Sequence, residues 1–327
     1  MKHLLKYLEQ FKEKNIAVIG DIMLDKYVYG DVDRISPEAP VPIVRVTEEK
    51  YVPGGAANVA ANISTLDGNA FLFGIIGNDS YKDILLNKLS SLKINIDGLI
   101  TDIKKNTILK TRIIGLKQQL LRMDHENTDY TENRSCEKLI SKVKDVPNLS
   151  AIIISDYAKG TITENLMRGI KEFSKNNGII LIIDPKPKHK SWYRDASLIT
   201  PNKLESQQMS GIVIENKDNI QKAGKGMLRE LNSNIIITAG SEGMYVFEKG
   251  KEPVHIPTVA KEVYDVTGAG DTVVASLSLA LSCDASLSDS AVISNHAAGI
   301  KVGKVGTAPV AYEELKQSFQ GNSKLPL

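Results

Sequence analysis

Short, mostly apolar runs without polar alternation recur along this chain and constrain its fold more than any other feature. Residues 16–20 (Ile-Ala-Val-Ile-Gly), 71–76, 151–155, 179–184, 197–200 and 235–238 are such runs. A run with no polar alternation reads as a strand buried on both faces, the habit of parallel sheets. Between the runs the spacing turns helical: Asp79 caps a segment with Ile84, Leu85 and Leu89 on one face, and another helix spans about 164–175. Strand and helix alternating over this length predict an α/β fold, a mostly parallel central sheet with helices on both faces. Ligands bind beyond the carboxyl ends of such strands, so the polar residues just past the runs are site candidates. They are Asp21 and Asp25, Asp156 and Lys159, Asp184 and Lys186, Asn202 and Glu205, and Thr238 and Gly240. Each reads equally well, by itself, as a solvated loop residue.

Two stretches break the pattern. Residues 26–52 are punctuated by Pro37, Pro40 and Pro42, and Val41, Ile43, Val44 and Val46 read there as short antiparallel strands. Residues 107–123 hold a second pair, turning at Gly115 and returning through Leu120 and Leu121. Together they predict a small β sheet covering a site. Arg34, Arg112 and Arg122 lie in it, and arginine suits forked contacts to phosphate, although each also fits an exposed strand position.

Two turns of small residues run into helices. In Asp265-Val266-Thr267-Gly268-Ala269-Gly270-Asp271, unpaired N–H groups at the helix start are left uncovered by side chains, which makes an anion-binding turn with a carboxylate beside it. Phosphoryl transfer needs that combination, because the protein mainly positions groups, neutralises charge and supplies a base. A lone Gly-x-Gly-Asp is equally a glycine-rich loop with a capping acid. The other turn, Gly54-Gly55-Ala56-Ala57-Asn58, allows close backbone approach and offers Asn58 as a hydrogen-bonding group; tight helix packing through alanines explains it as well.

Composition removes other classes. Lys+Arg 41 against Asp+Glu 39 leaves a net charge of +2 with the signs interleaved, so neither a nucleic-acid nor a membrane surface is expected. Cys136 and Cys283 have no metal-ligand spacing and read as free thiols. Leu4, Leu5, Leu8 and Phe11 have the spacing of a short amphipathic helix and not of a signal peptide, so a cytoplasmic protein is expected. None of the 5 histidines has a partner at catalytic or metal-ligand spacing, and His296 reads as a helix-surface or packing residue.

The two small-residue turns, the Asn202-x-x-Glu205 motif and the loop Thr238-Ala239-Gly240-Ser241-Glu242-Gly243 together resemble the ribokinase-like (PfkB) family of sugar kinases. That resemblance implies one kinase domain over 1–327, with a discontinuous β lid from about 26–52 and 107–123 that doubles as a homodimer interface. It implies Asp271 as catalytic base, with Gly268, Ala269 and Gly270 holding the transferring phosphate. Asp25, Gly54, Gly55, Asn58, Asp156 and Lys159 would hold the sugar, joined by the three lid arginines. Lys186, Asn202, Thr238, Gly240, Gly243, Asn295 and Ala298 would meet ATP, as part of an adenine region that includes residues 303–306. Asn202 and Glu205 would act on Mg²⁺ through water, and Asp265 and Thr267 would flank a monovalent cation such as K⁺. By itself Asn-x-x-Glu also fits a plain helix cap.

Longer wording, including residues 20–25, 34–42, 155–160, 184–186 and 306–309, resembles the heptose 7-phosphate kinase branch of that family. It implies phosphorylation by ATP of the anomeric hydroxyl of D-glycero-β-D-manno-heptose 7-phosphate, on the route to ADP-heptose and lipopolysaccharide. Residues 186–192 depart from that wording. A kinase for another sugar keeps the same chemistry, and a catalytically silent sugar-phosphate sensor is the reading that a retained base argues against.

Overall fold

The computed structural model describes residues 1–116, 118–260, 263–304 and 308–320. Its strands, in chain order, are β1 Asn15–Gly20, β2 Ile22–Ile35, β3 Pro42–Gly55, β4 Asn69–Ile76, β5 Asn95–Thr101, β6 Ile108–Gly115, β7 Gln118–His125, β8 Leu149–Ser155, β9 Ile180–Asp184, β10 Leu198–Ile199, β11 Asn234–Thr238, β12 Met244–Phe247 and β13 Val254–Ile256. The large sheet runs β13-β12-β11-β10-β9-β8-β1-β4-β5, and the small one β3-β2-β6-β7. All neighbours from β11 to β5 are parallel, and only β12 and β13 are antiparallel.

Why these runs lack polar alternation is visible in their packing. Ile16 and Val18 of β1, with Ala151 and Ile153 of β8, enter a core on one face; Ala17 and Ile19, with Ile152 and Ile154, enter a second core on the other. Side chains alternate faces along a strand, so a strand with a core on each side must be apolar throughout. Helices Ala56–Thr65, Ala269–Ser282 and Leu287–Val302 cover the first face, and Glu164–Asn177 and Lys217–Leu231 the second.

Three expectations about elements change. The lid strands are not short: β2 and β3 are 14 residues each, and β2 starts one residue after β1. β5 was not anticipated, because Asn95, Asp97 and Gly98 break its apolar signal. The run at 197–200 keeps only a 2-residue strand. Leu4, Leu8 and Phe11 are buried as their spacing requires, on short helical turns. Among the described residues no helix is long and apolar enough to cross a membrane.

Candidate active site

At the carboxyl ends of β8, β9, β10 and β11 lies a cleft of about 150 Å³, whose lining includes Tyr157, Asp184, Lys186, Asn202, Glu205 and Asp271. Two helix N-termini converge on it. Gly55 caps Ala56–Thr65 at φ +56°, and Gly268 caps Ala269–Ser282 at φ +75°, left-handed geometry that glycine adopts without a steric penalty. Asn58 Nδ2 donates to Asp271 Oδ2 at 2.5 Å, and Thr272 Oγ1 donates to Asn62 Oδ1 at 2.8 Å, so the helices are stitched together where they point at the cleft. Tyr157 Oη donates to the other Asp271 oxygen at 2.8 Å. Burial lifts the Asp271 pKa to about 6, against the pull of the Asn58 and Tyr157 hydrogen bonds. A carboxylate so oriented, and more basic than an exposed one, is what a general base near neutral pH requires.

The sugar-side candidates separate into groups. Asp25 lies on β2, its Oδ1 bonded by Arg112 Nη1 at 2.7 Å, and a side chain at Gly54 would meet Asp25 Oδ2 at 2.8 Å. Asp156 does not reach the cleft as a free acid. It is 1% exposed; Oδ1 accepts from Ala158 N at 2.7 Å, while Oδ2 takes Tyr193 Oη at 2.7 Å and lies 2.6 Å from His189 Nδ1. With both oxygens engaged, it braces the 157–160 loop against the 186–193 segment. Asp21 does similar work, accepting from the N–H groups of Tyr157, Lys159 and Thr161 at 2.9–3.0 Å. The Lys159 ammonium is paired with Glu126.

The three lid arginines do not act alike. Arg112 is half-buried against Asp25, with its guanidinium 5.2 Å from the Tyr27 ring centroid. Arg122 is exposed and bound to Asp124 at 2.9 Å, and Arg34 is exposed near the far end of β2. Lys110, one turn of alternation before Arg112 and hence on the same sheet face, stands with its Nζ 5.6 Å from the Tyr157 ring centroid. Among the described residues it has no ion-pair partner, and burial lowers its pKa while Asp25 opposes that. Sequence reasoning missed Lys110; the period of two along β6 was the signal that could have found it.

On the nucleotide side, Asn202 and Glu205 form a reciprocal cap, Glu205 N to Asn202 Oδ1 at 2.9 Å and Asn202 N to Glu205 Oε2 at 3.0 Å. The other Glu205 oxygen is paired with Lys186. The helix-cap reading of Asn-x-x-Glu is thus observed, and Glu205 also lines the cleft. An isolated parallel bridge joins Asn202 to Thr238. Gly240 opens to space, with no atom within 4 Å of where a side chain would start. Gly243 instead sits at φ +88° with its would-be Cβ 2.1 Å from Ile256 O, so it is required by the turn itself. Asn295 Nδ2 donates to Pro257 O at 2.7 Å, close along the helix to half-buried Ala298, and His296 packs on Phe319. Of the adenine-region residues 303–306, Val305 and Gly306 lie outside the described residues, as does Thr307.

Asp184 was noticed in sequence but given no role. Its carboxylate makes no hydrogen bond among the described residues, and burial, then the charges of Asp271 and Glu205, raise its pKa well above the ordinary range. Three acids crowding one cleft fit a divalent cation. No group of three or more His, Cys, Asp or Glu among the described residues could hold a metal by itself. Asp265 and Thr267 lie on the approach to Gly268, Thr267 N donating to Asp265 Oδ1 at 2.8 Å. The buried side chain of Lys301 lies beside this turn, its Cε 3.6 Å from where a side chain at Gly268 would begin.

The model of the "pfkB family carbohydrate kinase" matches residues 13–314. The chain belongs to the pfkB family of carbohydrate kinases. It is 39% identical over 312 residues to the "Bifunctional protein HldE" of Desulfatibacillum aliphaticivorans, covering 95% of this chain and 64% of that protein. It is 40% identical over 317 residues to the protein of the same name from Vibrio cholerae serotype O1, covering 96% and 65%. The chain thus spans just under two thirds of these relatives. Arabidopsis thaliana ribokinase complexed with ribose and ATP superposes with a TM-score of 0.75 at 17% identity, over 94% of this chain and 98% of that one. Escherichia coli phosphofructokinase-2 in complex with fructose-6-phosphate gives 0.77 at 18%, over 95% and 99%. At such identities these structures speak for the ribokinase-like fold alone.

Proposed function

We propose that this pfkB-family chain transfers the γ-phosphoryl group of Mg-ATP to the anomeric hydroxyl of D-glycero-β-D-manno-heptose 7-phosphate, giving the 1,7-bisphosphate for ADP-heptose and lipopolysaccharide synthesis. Asp271 takes the hydroxyl proton, held by Asn58 and Tyr157. The N–H groups of the turn at Gly268, Ala269 and Gly270 stabilise the transferring group. Asp25 binds sugar hydroxyls. Bound with ATP, Mg²⁺ would neutralise charge on the phosphates, and Asp184 and Glu205 are the acids that face it. The likeness to HldE proteins supports the heptose assignment. The observation that carries it is the cationic strand β6, which sets Lys110 and Arg112 on one face beside Tyr157, the residue bonded to the base.

The testing experiment compares heptose 7-phosphate, fructose 6-phosphate, fructose 1-phosphate, ribose and fructose with Mg-ATP. Heptose 7-phosphate is expected to give the highest kcat/KM. Lys110→Met and Arg112→Met should each raise its KM by about 10- to 100-fold while changing kcat less, because a charge-assisted contact to a non-reacting phosphate contributes binding only. Preference for a free sugar, or indifference to both substitutions, overturns the heptose reading and leaves the kinase standing.

Glu205→Gln gives a second check. It keeps an oxygen for the helix cap but removes the charge, and the Mg²⁺ concentration for half-maximal rate should rise by about tenfold with sugar KM little changed. An unchanged metal titration would reduce Glu205 to a cap. The lid also presents Val46, Leu121 and Met123, each at least 50% exposed, which supports a homodimer across that sheet with a cytoplasmic location for the soluble pair.

A further inference from the structure

Lys301 occupies an unusual position. It lies in the last turn of Leu287–Val302 and is 1% exposed, although burying an ammonium is costly unless it is paired. Its Nζ donates to the Ala308 carbonyl at 3.1 Å, and its Cε is 3.6 Å from where a side chain at Gly268 would begin. The carboxylates of Asp265 and Asp271 are near enough to act on its charge. Next to it the Val302 carbonyl accepts from Tyr264 N at 2.8 Å and Asp265 N at 3.3 Å, tying the segment that leads into the turn to a helix C-terminus. Helix C-termini favour positive charge, and Lys301 supplies it from within the chain.

We infer that the Lys301 ammonium is a built-in cation that holds the 265–270 turn in its anion-binding shape, so that phosphotransfer by this chain needs no K⁺. An ammonium and K⁺ carry the same charge and are of similar size, and a second cation beside it would meet its repulsion. The role is positioning: Lys301 lies beneath Gly268 and acts through the turn. It rests on the kinase reading for its activity test and on no particular sugar.

The test compares the purified chain in KCl, NaCl and tetramethylammonium chloride at equal ionic strength, by Mg-ATP turnover and by melting temperature without ligands. Turnover is expected to agree within about twofold and melting temperature not to distinguish the salts, since no ion is taken up. Lys301→Met keeps the length and removes the charge; it should lose about 10- to 100-fold in kcat in tetramethylammonium, recover part of that in KCl, and melt higher in KCl than in tetramethylammonium. Should it fail to fold, Lys301→Gln, uncharged but still able to bond Ala308, replaces it with the same outcomes. More than about fivefold stimulation of the parent by K⁺, or a neutral variant as active and as stable as the parent in every salt, overturns the inference. The melting comparison needs neither sugar nor ATP, so it fails or succeeds apart from the assigned reaction.

Discussion

Replacing Asp271 by Asn should lower kcat by about two to four orders of magnitude, the scale of a lost general base, while making the protein more stable. Both effects follow from the environment of this carboxyl. Burial raises its pKa from 3.8 to about 6. An acid whose folded pKa is raised binds more protons when folded, so stability falls as pH climbs from about 4 to 6, and the whole deficit is present above that window. At pH 7.5 the deficit is on the order of 3 kcal/mol, and a neutral amide that keeps partners in Asn58 and Tyr157 should recover about 1–3 kcal/mol of it. In the parent, kcat/KM should fall about tenfold per pH unit below about 6, as Asp271 takes up its proton. Chemical denaturation and a pH–rate profile measure these separately. A variant that turns over near the parent rate removes Asp271 from the chemistry, and one that is less stable removes the account of its burial.

The second large effect is expected at Gly268. Alanine there must adopt φ +75° and place a methyl 2.8 Å from Asn58 Nδ2, the atom that holds Asp271. The left-handed backbone alone costs about 1–2 kcal/mol. Displacing both the turn amides and the base should lower kcat by about 10²- to 10³-fold, the size of a lost oxyanion contact. Gly270→Ala is the matched control, since no atom lies within 4 Å of its would-be Cβ. It should leave the melting temperature alone and obstruct only what binds in the cleft. If Gly268→Ala keeps more than about half the parent kcat, the turn is not the phosphate cradle.

The sheet was readable because a strand with a core on both faces leaves a plain mark, and 16–20 and 151–155 carry it. The lid was readable as β but not in its extent, because the ends of β2 and β3 stand exposed, where no burial pattern records a strand. For the site, proximity was legible and occupancy was not. Position after a strand brought Asp156 and Asp184 to one sheet edge and the small-residue turn brought Asp271 there, yet which carboxylates were already consumed depended on Tyr193, His189 and Tyr157, reached only in three dimensions. Arg112 illustrates the same limit, since its acid lies 87 residues away on a neighbouring strand. Lys301 leaves no trace at all in sequence, because a lysine in the last turn of a helix ordinarily faces water.

The hydrogen bond between Asn58 and Asp271 joins residues 213 positions apart. Closing so long a loop adds little free-energy cost, which grows only with the logarithm of length, but contacts of such separation form late. During synthesis the turn at 54–58 emerges long before Asp271, and a contiguous fragment must span residues 58–271 to contain both. The pairing of these two residues belongs to the finished topology, and a chain still being assembled lacks it.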